Sequence, residues 1–504
     1  MSRKITRSIT RFDGGITDKL RSGDYSKCAH VSHFDIYRDM NRLYPMPGYV
    51  ADQDTVSGGA DDLQQYNVKA FFYSSGKFFA VGTKSNGTGN KLMSKNTATD
   101  DWTLETEEGS YNLADNTFLY VTPAGGEALY VTNNGGNTYI TLNSIGSSVT
   151  DAHETLQTSI TSLQHVVEYA FDDDYYVNTG VDDVARISGT TVTDPAKDTG
   201  FTVTDIQSGD EQVGIMGYRF FPYRSQLLLW DSASTLADQK IEFGDGRNSA
   251  LGYVSGIWVA AVSENINSQT QFDDTANGEY SLAIKYAAPG GAKTMTRLYG
   301  ATNTNGVLTP TRSKHRDAML FYARIPQDAT PTTYKEGIWA VGQAQEGSPI
   351  ALSLLLDTGD LGSIEGYYSV GKHHFFSHND DGSVSRLDAI DSGTYDVNAE
   401  YHTLFFGSDS VVLKELNGIG ILTEDIPSGA SVSAYFRLDE NDSWTAMGSS
   451  STTGAEQHQF TRRSDGTPVG KFREIQFRVV VSGKVIIKNI TVSYNETDDL
   501  GFNI

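Results

Sequence analysis

The chain has a single cysteine, Cys28, among 504 residues, so it cannot form an intrachain disulfide, and it is expected to fold in a reducing compartment. Proline is scarce, with 12 against 50 glycines, a balance that suits short strands joined by tight turns and argues against a helical protein. No apolar run approaches the roughly 18 residues of a spanning helix. The opening MSRKITRSITRF carries bases with no apolar core behind them, so neither a cleaved export signal nor a membrane span is expected. Bases are also short: 39 Lys and Arg face 63 Asp and Glu, for a net charge of −24. Such a surface repels DNA and anionic membranes. No phosphate-binding loop and no dinucleotide fingerprint occurs.

What the chain does have is turn chemistry and aromatics. Stretches such as SSGK, NNGG, NDDG, GDGR and PSGA punctuate short aliphatic and aromatic runs, the texture of many strands joined by tight turns. VKAFFYSSGKFFAVG (Val68 to Gly82), followed by NKLMSK and Trp102, makes one unit. Further units follow near residues 116–142, 166–188, 216–247, 279–287, 318–356 and 366–388. Repeats of about 35–55 residues, each a few antiparallel strands, are the mark of propeller blades. They predict an all-β chain with a β-propeller of about six or seven blades over residues 51–395, least regular from about 250 to 315. After Tyr395 the alternation lengthens, and residues 396–504 are expected to form an antiparallel β-sandwich. One repeat is explicit: DYYVNTGVDDVARIS (Asp174 to Ser188) aligns without a gap, 200 positions on, with HFFSHNDDGSVSRLD from His374. The framework repeats, while His373, His374 and His378 do not, so these histidines read as hairpin scaffold and not as ligands.

Other candidates are similarly modest. Asp357-Thr358-Gly359 follows an apolar run, as in aspartic proteases, but the second carboxylate that shares the proton is not found in a matching context. Thr132 to Tyr139 is one degenerate Asp box, a hairpin decoration; a glycosidase would also need carboxylates paired across the bond. Asp439 to Trp444 and Asp172 to Asp174 offer carboxylates without the spacing of a twelve-residue calcium loop. His30 and His33 find no further ligand for zinc. In aromatic pairs such as Phe78-Phe79, Phe220-Phe221 and Phe375-Phe376, alternation sends one ring of each pair into the packing. No catalytic, cofactor or metal residue is assigned.

Residues 1–50 differ in charge from the rest: nine bases against five acids give +4 and leave −28 elsewhere. They are expected to form a basic arm leading into the propeller, with Arg3, Lys4, Arg7 and Arg11 as docking residues for an acidic neighbour and Gly14-Gly15 as the source of its reach. Within this segment, Phe12-Asp13-Gly14-Gly15, His33 to Ile36 and Pro45-Met46-Pro47-Gly48 resemble the opening of bacteriophage tail-nozzle and tail-hub virion proteins. Leu404 to Asp425, Ser431 to Trp444 and Phe472 to Tyr494 are similar to the sandwich that ends many of them. The resemblance implies a non-enzymatic virion protein of the tail, made in the host cytoplasm. It implies a closed ring of copies, six by expectation, around the channel for DNA ejection. Portal- or adaptor-type and tail-fibre proteins would be its partners, genomic DNA would pass without specific contact, and no cofactor is implied. The alternative from another class is a glycan-binding or glycan-hydrolysing propeller for host attachment.

Overall fold

The structure, a computed structural model, describes residues 3–52, 66–104, 128–152, 165–265, 280–299, 310–326 and 334–497, less short turns inside those spans. All regular structure among them is strand. Seven sheets follow one another along the chain. Blade 1 is Tyr66–Ser74, Lys77–Lys84, Asn90–Lys95 and Thr103–Leu104, and blade 2 is Ala128–Asn133, Thr138–Ile145 and Val149–Ala152. Blades 3 to 6 each have four antiparallel strands, running from His165 to Asp198, Thr202 to Asp245, Arg247 to Tyr299 and Pro310 to Asp357. Blade 7 takes Ser363–Val370, His373–Asp380 and Val384–Ile390 from its own stretch and its fourth strand, Tyr49–Ala51, from the N-terminal segment.

That borrowed strand closes the ring, because it holds the start of the chain on the blade formed last. Blade 7 in turn packs on the first strand of blade 1. There Tyr73 N donates to Tyr368 Oη at 3.0 Å, Ser377 Oγ donates to the Val68 carbonyl, and Phe71 stacks on Phe375. Blades are covered on both faces, so both members of the aromatic pairs are buried: Phe78 and Phe79, Phe375 and Phe376. One ring per pair was the expectation from alternation; stacked sheets have no wet face, so period two loses its contrast. Phe220-Phe221 lie outside the described residues.

The stretch that looked least regular is a full blade with some of the longest strands in the chain, Ile257–Asn265, Tyr280–Ala288 and Gly291–Tyr299. Its charged side chains are partnered. Lys285 and Arg297 pair with Glu264 at 2.5 and 2.8 Å, and Lys285 Nζ also donates to the Phe243 carbonyl of blade 4 at 2.6 Å. These contacts tie its strands together and to the neighbouring blade.

The explicit repeat occupies equivalent places, the second and third strands of blades 3 and 7. Its register differs. Tyr176 faces Arg186, whereas Phe376 faces Asp388 and not Arg386. A slip of two residues keeps every side chain on its original face, which is why the sequence alignment survives it.

The sandwich consists of one sheet with Arg3–Ile9, Ile487–Glu496, Lys414–Thr423 and Gln457–Phe460 in that order, with Lys471–Phe472 on Lys414–Thr423, and another with Ala399–His402, Gln476–Ser482, Ser431–Arg437 and Thr445–Ser450. The second of these does not stop at the sandwich. His30–Ser32 pairs antiparallel with Ala399–His402 and parallel with the outer strand of blade 6, Ser32 beside Leu354. Blade 6 and one sandwich sheet are therefore a single nine-stranded sheet.

Candidate functional site

The residues that carry chemistry in the sequence are mostly engaged in structure. His374 is buried, its Nδ1 2.7 Å from Tyr367 Oη, and burial raises the Tyr367 hydroxyl above its ordinary range. His378 Nδ1 lies 2.9 Å from the Leu361 carbonyl, and His373 packs edge-on against Phe78. These are strand residues between blades and not the exposed turn that the sequence suggests. Asp357 ends the outer strand of blade 6, where its N–H donates to His33 Nδ1 at 3.2 Å. Thr132 faces Tyr139 across a hairpin whose turn, 134–137, lies outside the described residues. Asp172 and Asp173 also lie outside them, and Asp174 is paired with Arg186. In Asp439 to Trp444 the carboxylates cap their own turn: Asp439 Oδ1 accepts from Asn441 N and Asp442 Oδ2 from Asp439 N, both at 3.0 Å. Arg437 lies 4.7 Å over the Trp444 ring. His30 and His33 are on a strand and its end, not on a helical face.

The constellation with the most structure in it is the N-terminal segment, wedged between blade 6 and the sandwich. Phe12, 1% exposed, meets Tyr401 edge-on at 5.5 Å, and its N–H donates to the Met40 carbonyl at 2.8 Å. Gly15 sits at φ 63° with its backbone against blade 6: a Cβ there would lie 2.6 Å from Leu352 N. The glycine pair thus permits close backbone approach and is not a flexible hinge. His33, at φ 57°, donates its N–H to Leu354 O at 3.0 Å and accepts from Met46 N at 2.7 Å through its own carbonyl, so it fixes the turn that the Pro45-Met46-Pro47-Gly48 stretch follows. Tyr37 donates to Ala340 O at 2.6 Å and accepts from Ser353 Oγ at 3.2 Å. Leu43 exchanges both backbone hydrogen bonds with Ile487. Phe12, Cys28, Val31, Phe34, Ile36, Leu43 and Met46 share one apolar core with Trp339 and Leu352 of blade 6 and Phe477 and Ile487 of the sandwich. Each fully buried large side chain contributes about 2–3 kcal/mol, so this core fastens the two parts firmly. The Cys28 thiol, raised well above its ordinary range by burial, is inert here.

The basic residues divide into two sets. Arg21 forms a bidentate pair with Glu474 of the sandwich, and that hydrogen bond raises it above its ordinary value. Arg42 reaches Glu424 at 2.7 Å, Arg316 of blade 6 reaches Asp35 at 3.0 Å, and Arg11 pairs with Asp13 at 2.6 Å. Much of the acidic neighbour that the segment was expected to seek is its own chain. Arg3, Lys4 and Arg7 lie exposed on the edge strand Arg3–Ile9. Over these residues the expected free arm is a strand of the sandwich, hydrogen-bonded in register from Arg3 opposite Glu496 to Ile9 opposite Ile490. A pairing across almost the whole chain length leaves no local signal in the sequence.

No family model matches the chain, and no curated protein does. Among solved structures it is similar to the β-propeller domain of the Trilobed protease from Pyrococcus furiosus, described as having an open velcro topology, at 9% identity over 68% of this chain and 90% of that one with a TM-score of 0.33. It is also similar to BBS1N in complex with ARL6DN, at 11% identity over 72% and 98% with a TM-score of 0.39. A protein of unknown function from Dyadobacter fermentans matches at 10% identity over 68% and 98% with a TM-score of 0.30. At such scores the propeller assignment stands on the chain's own strand pairing, and no activity passes from these proteins to this one.

Proposed function

We propose that this propeller protein is a structural component of a bacteriophage tail, a nozzle- or hub-like ring element without enzymatic activity. The observation that carries the reading is where the resembling segments lie. Phe12 to Gly15, His33 to Ile36 and Pro45 to Gly48 are the residues that fasten propeller to sandwich, and Ser431 to Trp444 and Phe472 to Tyr494 build the sandwich sheets they fasten to. The segments that resemble virion proteins are therefore those of the joint, and a two-part body with a reinforced joint suits a ring that must withstand force. In this reading copies surround the DNA exit channel, with portal- or adaptor-type and tail-fibre proteins above and below. The charge of −24 leaves DNA few cationic contacts, and those contacts are what make DNA binding tight.

Gold-labelled antibody against the chain, applied to purified particles, should decorate the tail, and the isolated protein should release no sugar from host polysaccharide. Particles free of label, together with a purified chain that depolymerises a glycan, would replace this reading with the host-attachment alternative.

A further inference from the structure

The two outward sides of the sandwich differ in charge. Residues 461–473 run from Gln457–Phe460 through Lys471–Phe472, both strands of the sheet that holds Arg3–Ile9, and they carry four bases against one acid. The stretch is fixed in place: Arg463 N donates to Thr467 O, Gly466 N to Arg463 O and Ser464 N to Ala446 O, each at 2.9 Å, while Val469 and Phe472 are buried. Phe472 points inward, so Lys471 and Arg473 point outward, and both are exposed. Lys4 falls in line with them, because Lys4 lies opposite Asn495, Asn495 opposite Glu415 and Glu415 opposite Lys471 in one row across four strands. Arg462 is exposed and donates to the Gly466 carbonyl at 3.3 Å. Among the described residues neither Arg462 nor Arg473 is in an ion pair, although acids outnumber bases 63 to 39 in the chain.

The other side is acidic. Residues 438–444 hold Asp439, Glu440 and Asp442 and no base, and all three carboxylates are exposed. In the second sheet, half-buried Glu400 and His402 alternate with buried Ala399 and Tyr401, so His402 faces outward, and Trp444 anchors the acidic turn there, 5.0 Å from the His402 ring. Turn and basic stretch share one end of the sandwich, since Ala446, which accepts from Ser464, follows the turn by two residues. Rotation about an axis preserves height along it, so copies set side by side around a ring bring the basic side of one level with the acidic turn of the next.

We propose that neighbouring copies meet through these two sides of the sandwich, with Lys4, Arg462 and Arg473 of one copy receiving the turn 439–442 of the next. This names the contact for the ring proposed above and rests on that reading. Glu415 and Asp465 stand among the bases, a mixed pattern that suits another protein surface and works against a uniformly anionic phosphate backbone. The contact is heterologous: each copy offers a basic side to one neighbour and an acidic turn to the other, which is what propagates a ring.

Two full-length variants test it. One carries Arg462→Glu with Arg473→Glu, the other Asp439→Lys with Asp442→Lys. Each alone sets like charges against like, and sedimentation should show the assembled fraction cut by at least about tenfold at the concentration where the parent is half assembled. Mixed in equal amounts they restore complementarity at both contacts, reversed side on reversed turn and native side on native turn, so assembly should return with the two variants alternating, as native mass spectrometry reads. Asp439→Asn with Asp442→Asn keeps the acceptors of the turn without its charge and should also weaken assembly, which decides the matter if circular dichroism shows the lysine variant misfolded. Variants that assemble like the parent, or folded variants whose mixture stays monomeric, would overturn the proposal and leave the ring reading standing; a parent that stays monomeric at every concentration removes both. DNA binding by the parent that the arginine variant loses, with assembly unchanged, would assign the basic side to nucleic acid and overturn the proposal.

Discussion

Replacing Asp52 with Asn should open the ring at its latch. Asp52 follows the closing strand Tyr49–Ala51, and its carboxylate lies 2.6 Å from Lys95 Nζ and 3.0 Å from Trp102 Nε1, both on blade 1. The Lys95 side chain is 0% exposed and that of Asp52 8%, and the ammonium rests 4.6 Å from the Trp102 ring and 4.7 Å from the Phe375 ring of blade 7. Aromatic faces attract a cation by about 1–2 kcal/mol when it is desolvated, too little to replace a carboxylate. Asp52→Asn keeps the shape and leaves Lys95 charged in an apolar place, so the cost is that of breaking a buried pair, about 3–5 kcal/mol. With a urea m-value of about 3 kcal/mol/M the midpoint falls by about 1 M or more. Asp52→Asn with Lys95→Met removes both charges and should lie within about 1 kcal/mol of the parent, so the two single changes are strongly coupled. Urea unfolding followed by both tryptophan fluorescence and circular dichroism measures this, and coincident curves license the two-state treatment. A cost below about 1 kcal/mol for Asp52→Asn, or additive single variants, would show that the latch does not hold the ring as described.

Asp205, on the first strand of blade 4, accepts from Ile206 N and from Leu251 N of blade 5 at 2.8 Å each, yet burial outweighs these donors and pushes it up from 3.8 to about 7. The folded state therefore keeps a proton that the unfolded chain releases near pH 4, so stability falls as pH rises through that window, by about 1.4 kcal/mol per unit, and levels off above pH 7; Asp205→Asn should flatten urea midpoints measured at pH 5, 6 and 7. His374→Ala removes the partner of the buried Tyr367 hydroxyl and should cost about 1–3 kcal/mol, read as a lowered midpoint, in contrast to the near-silence expected of an exposed turn. Gly15→Ala places a methyl 2.6 Å from Leu352 N at φ 63° and should destabilise by more than about 2 kcal/mol; protease resistance of the propeller–sandwich joint reports it.

The blades were legible because each one is local. Val68 to Gly82 shows its hairpin, its turn residues and its alternation within fifteen letters, and the sandwich announces itself by longer alternating strands such as Ile487–Glu496. Three features were not legible, for one physical reason. Arg3–Ile9 on Ile487–Glu496, His30–Ser32 between blade 6 and the sandwich, and Tyr49–Ala51 on blade 7 are pairings with partners hundreds of residues away, and nothing within a single strand of three or seven residues names so distant a partner. Two other expectations are changed by the structure. The stretch from about 250 to 315 looked the least regular yet forms a blade whose Glu264, Lys285 and Arg297 are paired, and the bases of residues 1–50 looked outward when Arg21 and Arg42 are paired with the sandwich of the same chain. The histidines were read as framework on the surface, whereas His374 and His378 are buried, because an inter-blade strand buries polar side chains that find partners such as Tyr367 Oη and the Leu361 carbonyl.

A cryo-electron microscopy reconstruction of the virion tail should show copies arranged as a ring around the channel, each with a seven-bladed disc joined to a sandwich through the continuous sheet of blade 6. A tail whose ring density fits no such two-part body, or a chain found only as separate propellers at a host-facing tip, would contradict it.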